Sequence, residues 1–256
     1  MESKFIKLSL LCLILFSSIA SYAQNFRGIA TYESHQKINL KIDSTQLKNK
    51  MYQNLIDTFK KQSKKTYRLT FNNEESVFKE EERLNAPNSQ VMNLGAVGSE
   101  KLYMDLKEKQ YTNQNEMFGK LFLIQDKLEI MDWKLESDTK KIGDYTCYKA
   151  TLKTKSKIGD DVEEKSNTEK ITTVAWYTPQ IPVSSGPRLY HGLPGLILEV
   201  SDGTETLICS KIILNPKKSI EIKEPKRGEK TTQENYDAIM EKKKKEMREF
   251  GKKSDG

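Results

Sequence analysis

Between Tyr67 and Leu214 the chain repeats one pattern, a short run of alternating apolar and polar residues closed by a polar turn, and this constrains the fold more than any other feature. Side chains on a strand point to opposite faces in turn, so a period of two marks a half-buried strand. Tyr67, Leu69 and Phe71 alternate, Asn72-Asn73 supplies turn chemistry, and Val77-Phe78 begins a return strand. Alternation resumes at Leu102, Met104 and Leu106, followed by short strands around Gln110 to Asn115, Lys120 to Gln125, Trp133 to Glu136, Tyr145 to Thr154 and Ile171 to Tyr177. Gly28 to Glu33 adds a first strand. The strongest hairpin comes last, where Leu196 to Val200 and Thr204 to Leu214 flank Ser201-Asp202-Gly203. The succession predicts a mainly β (α+β) fold built on a curved antiparallel meander of about 8–10 strands.

Two segments read as helices. Asp43 or Ser44 caps the first, in which Leu47, Met51, Leu55, Ile56 and Phe59 share one face, giving an amphipathic N-terminal helix packed on the sheet. The second starts near Thr232, where Thr231 and Glu234 have capping-box spacing. Its stripe of Tyr236, Met240, Met247 and Phe250 is sparse, which predicts a peripheral C-terminal helix. Glu81 to Ser99 and Lys153 to Lys170 are polar excursions between strands. The acidic residues Asp160, Asp161, Glu163 and Glu164 lack the alternate-position ligands and glycine of an EF-hand loop and read as a solvated loop. From Pro179 to Gly195, proline and glycine exclude regular structure, leaving an ordered or a floppy loop.

The N-terminus fixes the expected compartment. Lys4 and Lys7 precede the apolar run Leu8 to Phe16, and Ser21-Tyr22-Ala23 offers a cleavage site before Gln24, the order of a secretory signal peptide. A lipoprotein signal acylated at Cys12 is the alternative, disfavoured by the bulk of Leu11. The expected organisation is therefore a signal peptide over 1–23, a β-rich domain over 24–230 and a basic helical tail over 231–256. The periplasm is the expected address, with the extracellular space as the alternative. No later apolar run approaches membrane-spanning length.

Formal charge is +7, and loss of Lys4, Lys7 and Glu2 leaves +6. The excess is spread along the chain. Its densest part, Lys242 to Lys245, is flanked by Glu241 and Glu246 and reads as a solvated helix face, so a nucleic-acid partner is not expected. Cys147 and Cys209 alone remain after cleavage. An even count in an oxidising compartment makes them a candidate disulfide, with two buried free thiols as the alternative.

The residues Gly192-Leu193-Pro194-Gly195-Leu196-Ile197 spell GLPGLI. Upstream stand Ile142-Gly143-Asp144-Tyr145-Thr146-Cys147 with Ala150, then Ala175-Trp176-Tyr177, Ile181-Pro182 and Gly186-Pro187. In this order of landmarks the chain resembles the GLPGLI family, over much of its mature length. The resemblance implies an exported envelope protein of Gram-negative bacteria with a mostly antiparallel sheet, and it carries over no catalytic residue. Physically, the hexapeptide suits a type II turn, with Pro194 at the second position and Gly195 at the third, launching the strand Leu196 to Val200.

Function remains open among several classes. A binding or carrier module for an apolar ligand, such as an acyl chain or lipopeptide, would use the helix bearing Met51, Leu55 and Phe59 as a lid and Trp133, Trp176 and Tyr177 as wall residues, against the alternative that these side chains fill a dry core. An accessory protein docking on another envelope component would use the basic tail helix and the Pro-Gly loop. Ser184, Ser185 and His191 with Glu199 or Asp202 make a hydrolase-like set on paper, but no Gly-x-Ser-x-Gly is present, and no catalytic residue is assigned. His35, His191, Cys147 and Cys209 lack metal-ligand spacing, so neither metal nor cofactor is expected.

Overall fold

A computed structural model of the chain describes residues 26–37, 50, 64–81, 100–155 and 170–254. Its elements are β1 (Arg27–Gln36), β2 (Thr66–Asn72), β3 (Glu75–Glu80), β4 (Lys101–Asp105), β5 (Gln110–Met117), β6 (Lys120–Lys127), β7 (Lys134–Ile142), β8 (Tyr145–Lys155), β9 (Lys170–Thr178), β10 (Leu196–Ser201), β11 (Glu205–Leu214), β12 (Glu229–Thr231) and one helix, α1 (Gln233–Ser254). The expected signal peptide over 1–23, the expected helix with Leu47, Met51, Leu55, Ile56 and Phe59, and the acidic residues Asp160 to Glu164 lie outside the described residues.

All twelve strands form one sheet in the order β12-β6-β5-β4-β3-β2-β1-β11-β10-β9-β8-β7. This exceeds the expected 8–10 strands, and the sheet is mixed, because β12 runs parallel to β6 while every other pair is antiparallel. β12 carries no apolar pattern and forms only because Gly228 (φ +128) lets the chain lie against the backbone of Phe122 and Leu123.

The connectivity requires a curled sheet. β6 and β7 stand ten inter-strand steps apart, about 48 Å if the sheet were flat. Residues 128–133 join them, and seven Cα steps reach roughly 25 Å. Bulges contribute to the curl. Register shifts fall between Thr31 and Tyr32 and between Ile197 and Glu199, and Tyr32 donates its hydroxyl to the Ile197 carbonyl at 2.6 Å across the intervening strand β11.

The concave face carries the core, which joins Tyr32 of β1, Leu69 and Phe71 of β2, Phe78 of β3, Met104 of β4 and Ile124 of β6. Behind β3 to β6, Val77, Tyr103 and Leu123 are also buried, facing outward. Residues 215–228 cross this outer face as a strap: Pro225 is buried, Glu224 accepts from Thr112 at 2.5 Å, and the Arg227 carbonyl accepts from Gln114 at 2.7 Å. The edges are blunted. β12 has three residues, and β7 is charged and carries a register shift between Leu135 and Thr139.

Helix α1 is capped by Thr232, one residue later than the expected Thr231, whose place is in β12. The Asn235 amide donates to Thr232 Oγ1 at 3.3 Å and the Tyr236 amide to its carbonyl at 3.0 Å. Tyr236 packs edge-on to Phe122, and Ile239 and Met240 reach the core, while residues 241–247 are exposed.

The candidate disulfide is not formed: Cys147 and Cys209 are buried free thiols. Cys147 lies in β8 and Cys209 in β11, with β9 and β10 between them. They are therefore not on neighbouring strands, where a cross-strand bridge would join directly opposed residues.

Candidate functional site

The loop 179–195 is ordered and folds back into the concave side. Ile181, Val183 and Leu193 belong to the same buried cluster as Tyr32 and Phe71, so the loop fills the curl as a plug. Backbone bonds fasten it: Leu196 donates to the Ile181 carbonyl at 3.0 Å and Ile197 to the Ser185 carbonyl at 3.1 Å. The expected type II turn is replaced by a tighter one. Gly195 donates to the Leu193 carbonyl at 2.8 Å, closing a three-residue turn around Pro194, and Gly195 takes φ +155. A Cβ there would lie 2.2 Å from the Thr178 carbonyl oxygen, so the turn docks directly on the end of β9. Within the hexapeptide Leu193, Gly195, Leu196 and Ile197 are buried, while Gly192 and Pro194 face solvent.

The tip of the plug holds a polar cluster. Arg188 adopts φ +54, a left-handed conformation rare for a side-chain-bearing residue. Its guanidinium pairs with Glu205 at 2.6 Å and Glu100 at 3.7 Å and lies over the Tyr67 ring at 5.6 Å. Ser34 donates to Glu205 at 2.5 Å and Asn113 to Glu100 at 2.9 Å, so one network runs from β1 to β5 across the concave face. Burial pushes the Tyr67 hydroxyl up to about 12. On the same face the buried Ser76 Oγ, Asn113 Oδ1 and Asn115 Oδ1 have no hydrogen-bond partner. Arg188 was not singled out from the sequence, although the one Lys or Arg of the loop 179–195 is a readable signal.

Of the aromatic residues expected to form a ligand wall, Trp133 and Tyr177 flank the rim at β7 and β8, while Trp176 stands across the sheet. Tyr177 is in the core with its ring 6.2 Å from Tyr148, directly opposite it on β8. Trp176 takes the other face, covered by Lys140 at 4.4 Å from the ring; that lysine also pairs with Glu199 at 2.6 Å. Trp133 donates its indole N–H to the His191 carbonyl at 2.8 Å and lies 6.2 Å from Tyr190, tying the link 128–133 to the plug. On β7, β8 and the link 128–133 three large apolar side chains face solvent: Ile130 at 95% exposure, Leu135 at 53%, and Tyr148, next to Tyr177, at 39%. Leu135 sits opposite Ala150, which pairs with Ala175, so an apolar row runs from the open edge into the core.

The hydrolase-like set is brought together only in part. Ser185 stands opposite His191 in an isolated bridge, with its buried Oγ unpartnered, but His191 Nδ1 lies 2.8 Å from the Leu189 carbonyl, Ser184 donates to the Leu193 carbonyl, Glu199 is paired with Lys140, and Asp202 accepts from Thr204 and the Glu205 amide. Those bonds make the Ser201 hairpin an Asp-anchored turn, with Gly203 at φ +90. Among the described residues no three His, Cys, Asp or Glu side chains gather as a metal site. No helix among them is long and apolar enough to cross a membrane.

Comparison with solved structures finds similarity to two described as "Structure of PNGF-II", in C2 and P21 space groups. Identity is 15% in both, with TM-scores of 0.49 and 0.50 over 84% of this chain. The chain spans about a third of the length of those structures (32% and 33%), and at this identity the likeness concerns the fold alone. No curated protein matches the sequence. Residues 133–199, from the rim tryptophan through the plug and into β10, match the model of a family described as "Protein of unknown function (Porph_ging)".

Proposed function

We propose that this chain is an exported, non-catalytic envelope protein that binds an apolar ligand, an acyl chain or lipopeptide, at the rim formed by β7, β8 and the link 128–133. The observation that carries the reading is the exposure of Ile130, Leu135 and Tyr148 on β7, β8 and the link 128–133, with Tyr148 against Tyr177. Exposed apolar clusters of this kind mark interaction sites. The plug occupies the interior with Ile181, Val183 and Leu193, so the ligand lies along the rim rather than deep within the curl. The expected export signal and the GLPGLI-like landmarks, all five of which fall in residues 133–199, support the address. Native mass spectrometry of protein purified from its own compartment, before and after organic extraction, tests the reading. A stoichiometric adduct lost on extraction, and missing from Leu135→Asp and Tyr148→Asp, is expected; a bare polypeptide mass sinks it.

A second reading, docking on another envelope component, is favoured by α1. Lys243 and Lys244 are paired within the helix to Glu246 and Glu241, leaving Lys242 and Lys245 exposed beside Met247. Of the two elements expected to dock, the plug buries Ile181, Val183 and Leu193 in the core, whereas residues 241–247 of α1 are exposed. Charge reversal across Lys242 to Lys245 should abolish capture of the partner in a pull-down; unchanged capture removes the helix from consideration.

A further inference from the structure

A second surface is independent of the rim. On the convex face Arg68, Lys79, Lys101 and Gln114 occupy one cross-strand row, each directly opposite the next on β2, β3, β4 and β5. Their neighbours Leu69, Phe78 and Leu102 point into the core, so alternation sends these four outward. Arg68 is paired with Glu81. Lys79 and Lys101 face each other with no ion-pair or hydrogen-bond partner. Like charges directly opposite on a sheet are destabilising, and among the described residues no carboxylate pairs with either lysine.

The row floors a cleft of about 630 Å³. Glu80, Glu81 and Glu100 also line it, but each is already engaged, the first by Lys65, the second by Arg68 and the third by Arg188 and Asn113. The strap reaches the end of the row, where Gln114 donates to the Arg227 carbonyl. The volume exceeds what a single water-sized ion needs, and the two free ammonium groups are flexible point charges of the kind that bind phosphate.

We propose that the outer-face row Arg68, Lys79 and Lys101 binds a polyanion, a phosphorylated or carboxylated group with at least two negative charges. The group belongs either to a soluble ligand or to a lipid headgroup. An anion seated between the lysines relieves their mutual repulsion and gains both charges at once.

The test is calorimetric titration of the full chain, purified from the cells that make it, with inorganic pyrophosphate, and sedimentation with mixed phosphatidylcholine–cardiolipin vesicles, whose cardiolipin headgroup carries two phosphates. Saturable pyrophosphate binding, weakened at least tenfold in Lys79→Glu and in Lys101→Glu, is expected for a soluble ligand. Vesicle binding lost in the same variants assigns the headgroup. Either variant should also melt at a higher temperature than the parent, because the substitution turns a repulsive cross-strand pair into an attractive one, so loss of binding cannot be a failure to fold. Binding of neither probe, or binding that survives both substitutions, overturns the proposal.

Discussion

The two halves of the sheet solve burial differently. In β3, β4 and β6 three consecutive residues are buried, Ser76 to Phe78, Leu102 to Met104 and Phe122 to Ile124, because the core covers one face and the strap 215–228 the other. In β7 no residue is buried, and the outer face of β9 is only half covered, with Trp176 under Lys140. That second half draws its burial from the inside, through the plug. The strap half is thus a short sandwich, whereas the plug half is a one-sided sheet whose stability rests on a single loop.

The largest way to break this comparison is at Gly195. Replacement by Val drives a side chain into the Thr178 carbonyl and forbids φ +155, so the plug cannot seat; a loss of about 4 kcal/mol or more in denaturant unfolding is expected. A loss below about 1 kcal/mol would mean that the plug half does not depend on its loop. A matched pair of outward-facing truncations sharpens the contrast. Leu123→Ala beneath the strap should cost about 3 kcal/mol, and Trp176→Ala on the half-covered face about 1 kcal/mol, chiefly its cation contact and partial burial. Equal costs would erase the distinction.

The gentlest probe is alkali, which reaches both halves. Burial pushes the Cys147 and Cys209 thiols from 9.0 up to about 11 and about 12, and Tyr67 and Tyr111 from 10.0 up to about 12. The folded state therefore keeps protons that the unfolded chain has released. This stabilisation is complete below about pH 9 and is lost as pH rises towards 11 and 12. The melting temperature should be level near neutrality and fall from about pH 9 upwards, with the thiols resisting alkylation until the fall begins; alkylation at pH 8 in the folded protein would contradict their burial.

Much of the fold is legible residue by residue. The alternation of Tyr67, Leu69 and Phe71 places three core side chains, and Asp202-Gly203 places the last hairpin. β12 was not legible, since its three residues are held by the approach of Gly228 to β6 rather than by any pattern of their own. The site was less legible than the fold. Period-two alternation separates Trp176 from Tyr177, but it cannot tell which strands become neighbours, and so it could not show that Lys79 faces Lys101 or that Arg188 meets Glu100 and Glu205.

By itself the sequence determined where most strands run, which side of each is apolar and where the last hairpin turns, because these are set by neighbours a few residues apart. Only the tertiary structure decided that β1 pairs with β11, that the loop before β10 turns inward as a plug, that the cysteines stay apart, and that two unpaired lysines share one row. Those outcomes depend on contacts between residues tens to more than a hundred positions apart, selected by the joint packing of the curled sheet, and no local pattern encodes them.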